Sequence, residues 1–327
     1  MALIPPFFLD CVVAIGRRAS EDLVSWSASG FIYGHHVATE EGRSSYGIYL
    51  VTNRHVFDGE QSSVLRFNPA GSDPAREFDM SLLNGDGERL WLAHPDDEVD
   101  LAVAPISGEA LDRENIQWNF FRSHQHVLDR LAANEKGISE GDGVFMLGFP
   151  MGIVGGERNH VIVRQGAIAR IRDWLAGATK DFLVDAAVFP GNSGGPVVSR
   201  PEATAIEGTK AQTAAYLLGV VTGYLPYRDS AISMQTGRTR VVFEENSGLA
   251  SVVPVDYVNE VVAAHRESLG PPPTTETEAV APEQTPREQE PDTKPSPKRA
   301  GKSRQRKRPA QAGELDARRR KRLKSKQ

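Results

Sequence analysis

The sequence predicts an all-β fold, either a barrel or a sandwich. Between residues 7 and 252, short runs of β-branched and aromatic residues alternate with clusters of glycine, asparagine, aspartate and proline, which is typical of strands joined by turns. The 327-residue chain is 39% hydrophobic, enough to fill the core of more than one compact unit. The predicted strands span residues 9–15, 46–52, 161–171, 182–187, 216–222 and 239–243.

Two segments have a helical pattern instead. Residues 115–134, in the middle of the chain, are interpreted as a helical connector between two halves. Residues 256–268 have Asp256 as the expected N-cap and an apolar face formed by Val258, Val261, Val262 and His265. We therefore expect three units: a first β-unit in residues 1–120, a connector, second β-unit and final helix in residues 121–270, and a tail in residues 271–327.

The composition changes abruptly after Gly270. Residues 271–327 are rich in proline and poor in large apolar side chains. They cannot bury enough surface to offset the entropy of ordering, so they are predicted to be disordered. Of the chain's 38 Lys and Arg and 43 Asp and Glu, this tail holds 16 and 8, which leaves 22 and 35 in the first 270 residues. The body is therefore acidic and the tail basic.

The basic end of the tail runs from Lys298 to Lys326 and contains 14 Lys and Arg against Glu314 and Asp316. This density of positive charge predicts binding to an acidic partner or, through counterion release, to nucleic acid. The segment has no aromatic residue for base stacking, so nucleic-acid binding would be nonspecific. A solvated tail that folds back on the acidic body is the alternative.

Cys11 is the only cysteine, which excludes an internal disulfide and favours a reducing compartment. The first apolar stretch is interrupted by Pro5, Pro6 and Asp10 and lacks a basic leader. We therefore expect no signal peptide, no membrane span and a cytoplasmic location.

The strongest motif surrounds a serine and reads Phe189-Pro190-Gly191-Asn192-Ser193-Gly194-Gly195-Pro196. Glycines on both sides let the backbone turn sharply, hold the hydroxyl out and aim successive N–H groups at one point. We interpret Ser193 as a nucleophile and the N–H groups of Gly191 and Ser193 as an oxyanion hole. A glycine-rich turn with an incidental serine is the alternative.

A serine hydroxyl needs a base to take its proton, and one of the eight histidines is well placed for this. His55 ends a hydrophobic run that begins at Tyr49, where a strand breaks into a polar turn. His94 is a weaker candidate because it precedes Pro95 in what is interpreted as an exposed turn. The remaining histidines are expected on the surface or in loops: His35, His36, His124, His126, His160 and His265. Because the histidines are scattered and there is one cysteine, we expect no metal and no other cofactor.

The imidazole in turn needs an acceptor that fixes its tautomer. Asp100 stands at the mouth of an apolar strand that continues with Leu101. A partly buried carboxylate there needs a donor, which His55 can supply. A solvated turn acid is the alternative for Asp100 taken alone, but the order His55, Asp100, Ser193 argues against three separate accidents.

Three segments together resemble the trypsin-like peptidase domain, and most of all its bacterial HtrA-type branch. They are Thr52-Asn53-Arg54-His55-Val56, Val99-Asp100-Leu101-Ala102 and the stretch from Asp185 to Pro196. The resemblance implies a chymotrypsin-like fold of two six-stranded antiparallel β-barrels, with the catalytic triad in the cleft between them. It also implies a serine endopeptidase that acts on a protein or peptide substrate.

Two departures from the family pattern bear on activation. Secreted trypsins usually have an aspartate just before the serine, which pairs with a new α-ammonium after zymogen cleavage, whereas Asn192 is neutral. We infer no zymogen step by that route. HtrA-type proteins usually add a PDZ peptide-binding domain, and none is recognisable in this sequence.

The resemblance also indicates a substrate pocket. Ala187 corresponds to its base, where no carboxylate is available for a Lys or Arg side chain. Thr222, Gly223 and Tyr224 fall on the strand expected to form its wall, and the Tyr224 ring would narrow it. We expect a preference for small or medium apolar side chains. Two other functions stay open: a catalytically silent trypsin-fold binding module, and a protein whose basic tail binds nucleic acid.

Overall fold

The chain folds mainly into antiparallel strands, as described for residues 3–269 by a computed structural model. The strands are β1 (Val12–Ser20), β2 (Leu23–Glu40), β3 (Arg43–Thr52), β4 (Ser62–Phe67), β5 (Arg76–Ser81), β6 (Leu92–Ala93), β7 (Ala102–Pro105), β8 (Phe121–Arg122), β9 (Gly143–Gly148), β10 (Ile162–Arg170), β11 (Phe182–Asp185), β12 (Pro196–Ser199), β13 (Leu217–Ile232) and β14 (Thr239–Pro254). The helices are α1 (Arg54–Phe57), α2 (Gly108–Arg113), α3 (Arg130–Lys136), α4 (Arg172–Leu175) and α5 (Val255–Ser268), with 3-10 helices at Pro6–Cys11 and Pro150–Gly152. The predicted all-β class is confirmed.

The N-terminal half is one sheet in the order β5-β4-β1-β2-β3-β7-β6, with β8 paired in parallel with β2. Its end strands β5 and β6 are consecutive in the chain. Within the segment between them, Leu83 and Arg89 form an isolated antiparallel β-bridge. The expected six-stranded barrel is wrong for this half. The sheet has eight strands because β6 and β8 add two residues each, which is too short to leave a hydrophobic pattern in the sequence.

The C-terminal half is a closed barrel of six strands in the order β10-β11-β14-β13-β12-β9, as predicted. Its interior is filled by buried aliphatic and aromatic side chains that alternate along the strands, among them Met146, Val184 and Val252. Beyond the barrel, β13 and β14 continue as a hairpin whose outer residues are exposed. The predicted strands 216–222 and 239–243 mark only the first part of these two strands.

The first predicted strand, residues 9–15, is partly wrong. A 3-10 helix occupies Pro6–Cys11, and β1 starts only at Val12. Proline is favoured in the first turn of a helix because its φ is already helical and its missing N–H is not needed there. The strands predicted at 46–52, 161–171 and 182–187 coincide with β3, β10 and β11.

The helical connector predicted at 115–134 is wrong. Phe121 is instead buried in β8, and only α3 is helical near the end of this segment. Asp129 is the N-cap of α3, since its Oδ1 accepts a hydrogen bond from Ala132 N at 2.8 Å, and Gly137 ends it with a φ of +77°. Pairing with the sheet therefore overrides a helical pattern in the first part of the segment.

The final helix α5 packs across the N-terminal sheet. Val258, Val261 and Val262 are buried, as its predicted apolar face requires. Its N-cap is Pro254 rather than Asp256, whose Oδ1 accepts from the backbone N–H of Arg130 at 3.0 Å instead. No helix in the described range 3–269 is long and apolar enough to cross a membrane.

Each half has a hydrophobic cluster of its own, and a third cluster joins the two halves. A single buried cluster combines residues of the N-terminal sheet, such as Phe31 and Val51, with residues of the barrel, such as Leu147 and Val220. The described residues belong to one compact unit. The division at residue 120 stays a prediction, and the predicted disordered tail 271–327 lies outside the described residues.

Candidate active site

The serine loop connects β11 to β12 and depends on three glycines. Gly191 and Gly194 have φ of +98° and +83°, a conformation that side chains rarely adopt. A Cβ at Gly194 would lie 2.1 Å from both Ser29 O and Thr52 Oγ1, and one at Gly195 would lie 2.4 Å from Leu147 O. The glycines therefore allow a tight turn against the neighbouring backbone.

The predicted oxyanion donors are aimed away from their own loop. Pro190 O accepts from Met151 N at 2.6 Å, and Asn192 O accepts from Gly195 N at 2.9 Å. Because a trans peptide is planar with its C=O and N–H opposed, these bonds turn the N–H groups of Gly191 and Ser193 to the other side. Neither N–H has a hydrogen-bond acceptor within the described part of the chain. The two N–H groups are therefore available to a ligand.

Asn192, the residue before the serine, is buried and serves the turn. Its Oδ1 accepts from Phe189 N at 3.1 Å. The neutral amide therefore holds the loop from inside, where a carboxylate would need an ammonium partner.

His55 and Asp100 form a hydrogen-bonded pair. His55 lies in α1 directly after β3, and its Nδ1 is 2.6 Å from Asp100 Oδ2. Its backbone N–H also donates to Asp100 Oδ1 at 3.1 Å. Burial by itself raises the pKa of Asp100, but the hydrogen bonds and the charge interaction with His55 outweigh it and leave the pKa below its usual value. Asp100 is therefore held as a carboxylate beside the imidazole.

Ser193 is not bonded to this pair. Its Oγ donates to Thr222 O at 3.0 Å, and among residues 3–269 no hydrogen bond joins it to His55. Thr222 and Asp100 line the same cleft, which has a volume of about 600 Å³. The structure thus brings His55 and Asp100, two of the three predicted catalytic residues, into contact. The third, Ser193, is hydrogen-bonded to Thr222, which lines the same cleft as Asp100.

The predicted substrate-pocket residues divide into two groups. Thr222, Gly223 and Tyr224 line the cleft beside Asp100, and the Tyr224 hydroxyl donates to Glu244 Oε1 at 3.3 Å. Ala187 is not part of this cleft's lining within the described residues. It lies in the segment between β11 and the serine loop and is partly exposed.

The loop that carries Asp100 is fixed by residues that the sequence did not reveal. Arg54, just before His55, donates to Asp97 Oδ1 at 2.6 Å and to His94 O at 2.5 Å. Lys180, from the other half, contacts Asp96 Oδ2 at 2.5 Å and a neighbouring glutamate at 2.6 Å. The loop is therefore anchored to both halves of the molecule.

His94 is not in an exposed turn, contrary to the prediction. It is only 7% exposed because α5 covers it, and its Nε2 lies 3.1 Å from Glu260 Oε2. Its Nδ1 accepts from Asp96 N at 3.1 Å, so it is another anchor of the Asp100 loop. The six other histidines form no hydrogen bond with His55, Asp100 or Ser193 in the described range. No group of three or more His, Cys, Asp and Glu there could hold a metal ion.

Comparison with known proteins identifies the family. The sequence model of the trypsin-like peptidase domain matches residues 28–204, a range that includes His55, Asp100 and Ser193. The chain belongs to the trypsin-like peptidase family. The chymotrypsin-like fold implied by the sequence resemblance is confirmed.

Relatives of this trypsin-like chain include the serine protease Do-like HtrB of Bacillus subtilis (strain 168). The two are 28% identical over 158 residues, which make up 46% of this chain and 27% of that protein. The chain thus spans about a quarter of the relative's length. Among solved structures, the MamO protease domain from Magnetospirillum magneticum (apo form) is similar, with 17% identity and a TM-score of 0.40 over 80% of this chain and 97% of that one. The predicted resemblance to HtrA-type peptidases is confirmed.

Proposed function

We propose that this trypsin-like chain is a serine endopeptidase that cleaves peptide bonds through an acyl-enzyme at Ser193. The observation that carries the proposal is the 2.6 Å hydrogen bond between His55 Nδ1 and Asp100 Oδ2. It commits the Nδ1 proton to the carboxylate and leaves Nε2 free to act as the base.

The reaction follows from these positions. Ser193 Oγ gives its proton to His55 Nε2 and attacks the substrate carbonyl carbon. The carbonyl oxygen becomes an oxyanion that the N–H groups of Gly191 and Ser193 stabilise. His55 then returns the proton to the leaving amine, and an ester on Ser193 remains. A water activated by His55 hydrolyses this ester and restores the serine.

The Ser193 hydroxyl must first leave Thr222 O, which a rotation about its side-chain bond accomplishes. That rotation also frees a backbone acceptor in the cleft. A main-chain N–H of an extended substrate can take it, so substrate binding would favour the reactive orientation of the hydroxyl.

A fluorophosphonate probe tests the proposal, because it modifies only an activated serine. The wild-type chain should be labelled, and Ser193→Ala should abolish both the label and peptide hydrolysis while the melting temperature stays the same. Ser20→Ala, at the exposed end of β1, is the matched control and should be labelled normally. Hydrolysis by Ser193→Ala at a rate comparable to wild type would refute the assignment.

The second candidate is a catalytically silent binding module of the same fold. The bond from Ser193 Oγ to Thr222 O, in place of one to His55, favours it. A wild-type chain that binds extended peptides but takes no fluorophosphonate at any pH from 6 to 9 would establish this alternative.

Specificity, partners and location are part of the proposal. The Tyr224 ring in the cleft supports small or medium apolar side chains in the substrate. The charge of the tail between Lys298 and Lys326 supports an acidic partner or nonspecific nucleic-acid binding. The single cysteine supports a reducing, cytoplasmic location.

A further inference from the structure

Ser29, on β2, ties the N-terminal sheet to the serine loop. It is completely buried, and three of its hydrogen bonds cross to the C-terminal half. Its N–H donates to Ser193 O at 2.9 Å, and its Oγ donates to Gly191 O at 2.6 Å. The same Oγ accepts from Phe149 N at 2.9 Å. One small side chain and its own amide thus contact both residues that carry the predicted oxyanion donors.

Four successive carbonyl groups of the serine loop each accept a hydrogen bond. The carbonyls of Pro190 and Asn192 are held by amides of their own half, which orients the two donor N–H groups. The carbonyls of Gly191 and Ser193 are the other two, and both are held by Ser29. Each peptide group is a rigid plane, and the Gly191 and Ser193 carbonyls belong to the planes that alternate with those carrying the two donor N–H groups. Fixing these carbonyls therefore sets how the two donor planes are rotated relative to each other. Ser29 supplies two of the four bonds that define the hole.

The surroundings of Ser29 are packed closely enough to make these bonds specific. A Cβ at Gly148 would lie 2.6 Å from Ser29 Oγ, and one at Gly194 would lie 2.1 Å from Ser29 O. Thr52 Oγ1 donates to Ser29 O at 2.8 Å and fixes the β2 backbone itself. Loss of the Ser29 hydroxyl would leave the buried Gly191 carbonyl and Phe149 N–H without their hydrogen-bond partner.

We propose that Ser29 is a positioning residue that keeps the oxyanion hole in its reactive shape from the N-terminal half of the chain. This inference rests on the proposed peptidase function, because it assigns a role in the same reaction. Ser29 contacts no reacting atom; it acts through the backbone of Gly191 and Ser193.

Ser29→Ala tests the proposal against Ser199→Ala. Ser199 is also buried, and its Oγ accepts from Tyr216 N at 3.0 Å inside the barrel, so both changes remove one buried hydroxyl. Ser29→Ala should lower kcat by about tenfold to a hundredfold with little change in KM, below the ~10²–10³-fold loss typical of deleting a donor outright. Its affinity for a peptide boronic acid, which mimics the tetrahedral oxyanion, should fall by the same factor. Ser199→Ala should keep both values.

Amide hydrogen exchange of residues 186–195 provides a readout that does not need activity. Ser29→Ala should exchange faster in this segment, and Ser199→Ala should not. If Ser29→Ala does not fold, Ser29→Cys, whose thiol is a weaker hydrogen-bonding group, should give a kcat below and a loop exchange rate above those of the wild type.

The outcomes separate the two proposals. An inactive wild type with faster loop exchange in Ser29→Ala would refute the peptidase function and keep the role of Ser29 in shaping the loop. An active wild type whose kcat, boronate affinity and exchange are unchanged by Ser29→Ala or Ser29→Cys would overturn the role of Ser29. That role would also be overturned if Ser199→Ala reproduced every effect.

Discussion

At the scale of single residues, the proposed chemistry depends on which hydrogen-bond partner each polar side chain already has. Both carboxylate oxygens of Asp100 accept hydrogen bonds from His55, one from the ring and one from the backbone N–H. The imidazole is therefore fixed in position and in tautomer. The Ser193 hydroxyl donates to the backbone carbonyl of Thr222, which can instead accept a hydrogen bond from a substrate. In the proposed mechanism the base is therefore preset, and the nucleophile is the group that has to move.

Asp100→Asn should separate orientation from folding. The amide keeps the shape of the side chain but offers an N–H where His55 needs an acceptor, so kcat/KM should fall by about 10⁴-fold. The pKa of Asp100 is lowered by folding, so its contribution to stability is present above the usual value of 3.8 and is lost as the pH falls through the lower folded value. Denaturant unfolding should show a difference between wild type and Asp100→Asn at pH 7 that shrinks toward pH 3. Activity of the variant within tenfold of wild type would contradict the role of Asp100.

A functional residue can be predicted from the sequence when its neighbours in the chain form a distinctive pattern. Ser193 stands among glycines, and His55 follows the end of a hydrophobic strand, so both can be predicted locally. Ser29 cannot, because its partner Gly191 is 162 residues away and a serine in a strand has no distinctive pattern. The prediction for His94 is wrong for the same reason, since its burial comes from Glu260 and α5, 166 residues away.

At the scale of elements, the loop that carries Asp100 is held at three points. Arg54 binds it from α1, Lys180 from the segment after α4, and Glu260 from α5. The anchor at Arg54 is the most buried, with 15% of its side chain exposed. Two of these elements belong to the C-terminal half, so the geometry of the His55–Asp100 pair depends on how the halves pack.

Arg54→Met should loosen this loop while keeping the aliphatic stem of the side chain. We expect kcat/KM to fall by about tenfold, because a small displacement of Asp100 is enough to misplace His55. Arg54→Lys should restore part of the activity relative to Arg54→Met. An ammonium can donate to one of the acceptors but cannot bind several of them at once as the planar guanidinium does. Arg89→Met, which removes an exposed ion pair with Asp58, is the control and should leave the rate unchanged. If Arg54→Met matched Arg89→Met, the loop would not need this anchor.

Long elements with clear alternation can be predicted from the sequence, whereas short or far-paired ones cannot. Strands β10 and β11 are predictable because they have apolar runs with turn signals between them, whereas closure into a barrel is implied only by the family resemblance. The helix expected at 115–134 fails because Phe121 pairs with β2, a contact invisible to local pattern. The outer hairpin of β13 and β14 is predicted only in part, by the run at 239–243, because its exposed strands have no core to face and so no hydrophobic periodicity.

At the scale of the whole molecule, one of the three hydrophobic clusters in the described residues joins the two halves, whereas charge divides the chain. The shared cluster of buried residues joins sheet and barrel, and α5 adds its valines to it. The first 270 residues carry 22 Lys and Arg against 35 Asp and Glu, while the last 57 carry 16 against 8. The proposed catalytic and electrostatic roles are thus assigned to different parts of the sequence.

Truncation after Gly270 tests that separation. All three proposed catalytic residues and the last helix, which ends at Ser268, precede the cut, so the melting temperature and the hydrolysis of a short neutral peptide should change little. Binding to heparin or to an acidic protein should instead be lost, and in the full chain it should weaken steeply between 50 and 200 mM salt, roughly as expected for counterion release. The control is a full chain in which the basic residues of segment 298–326 are replaced by glutamine, which should keep activity and lose binding. A truncated chain that unfolds or loses its activity would show that the tail belongs to the working enzyme.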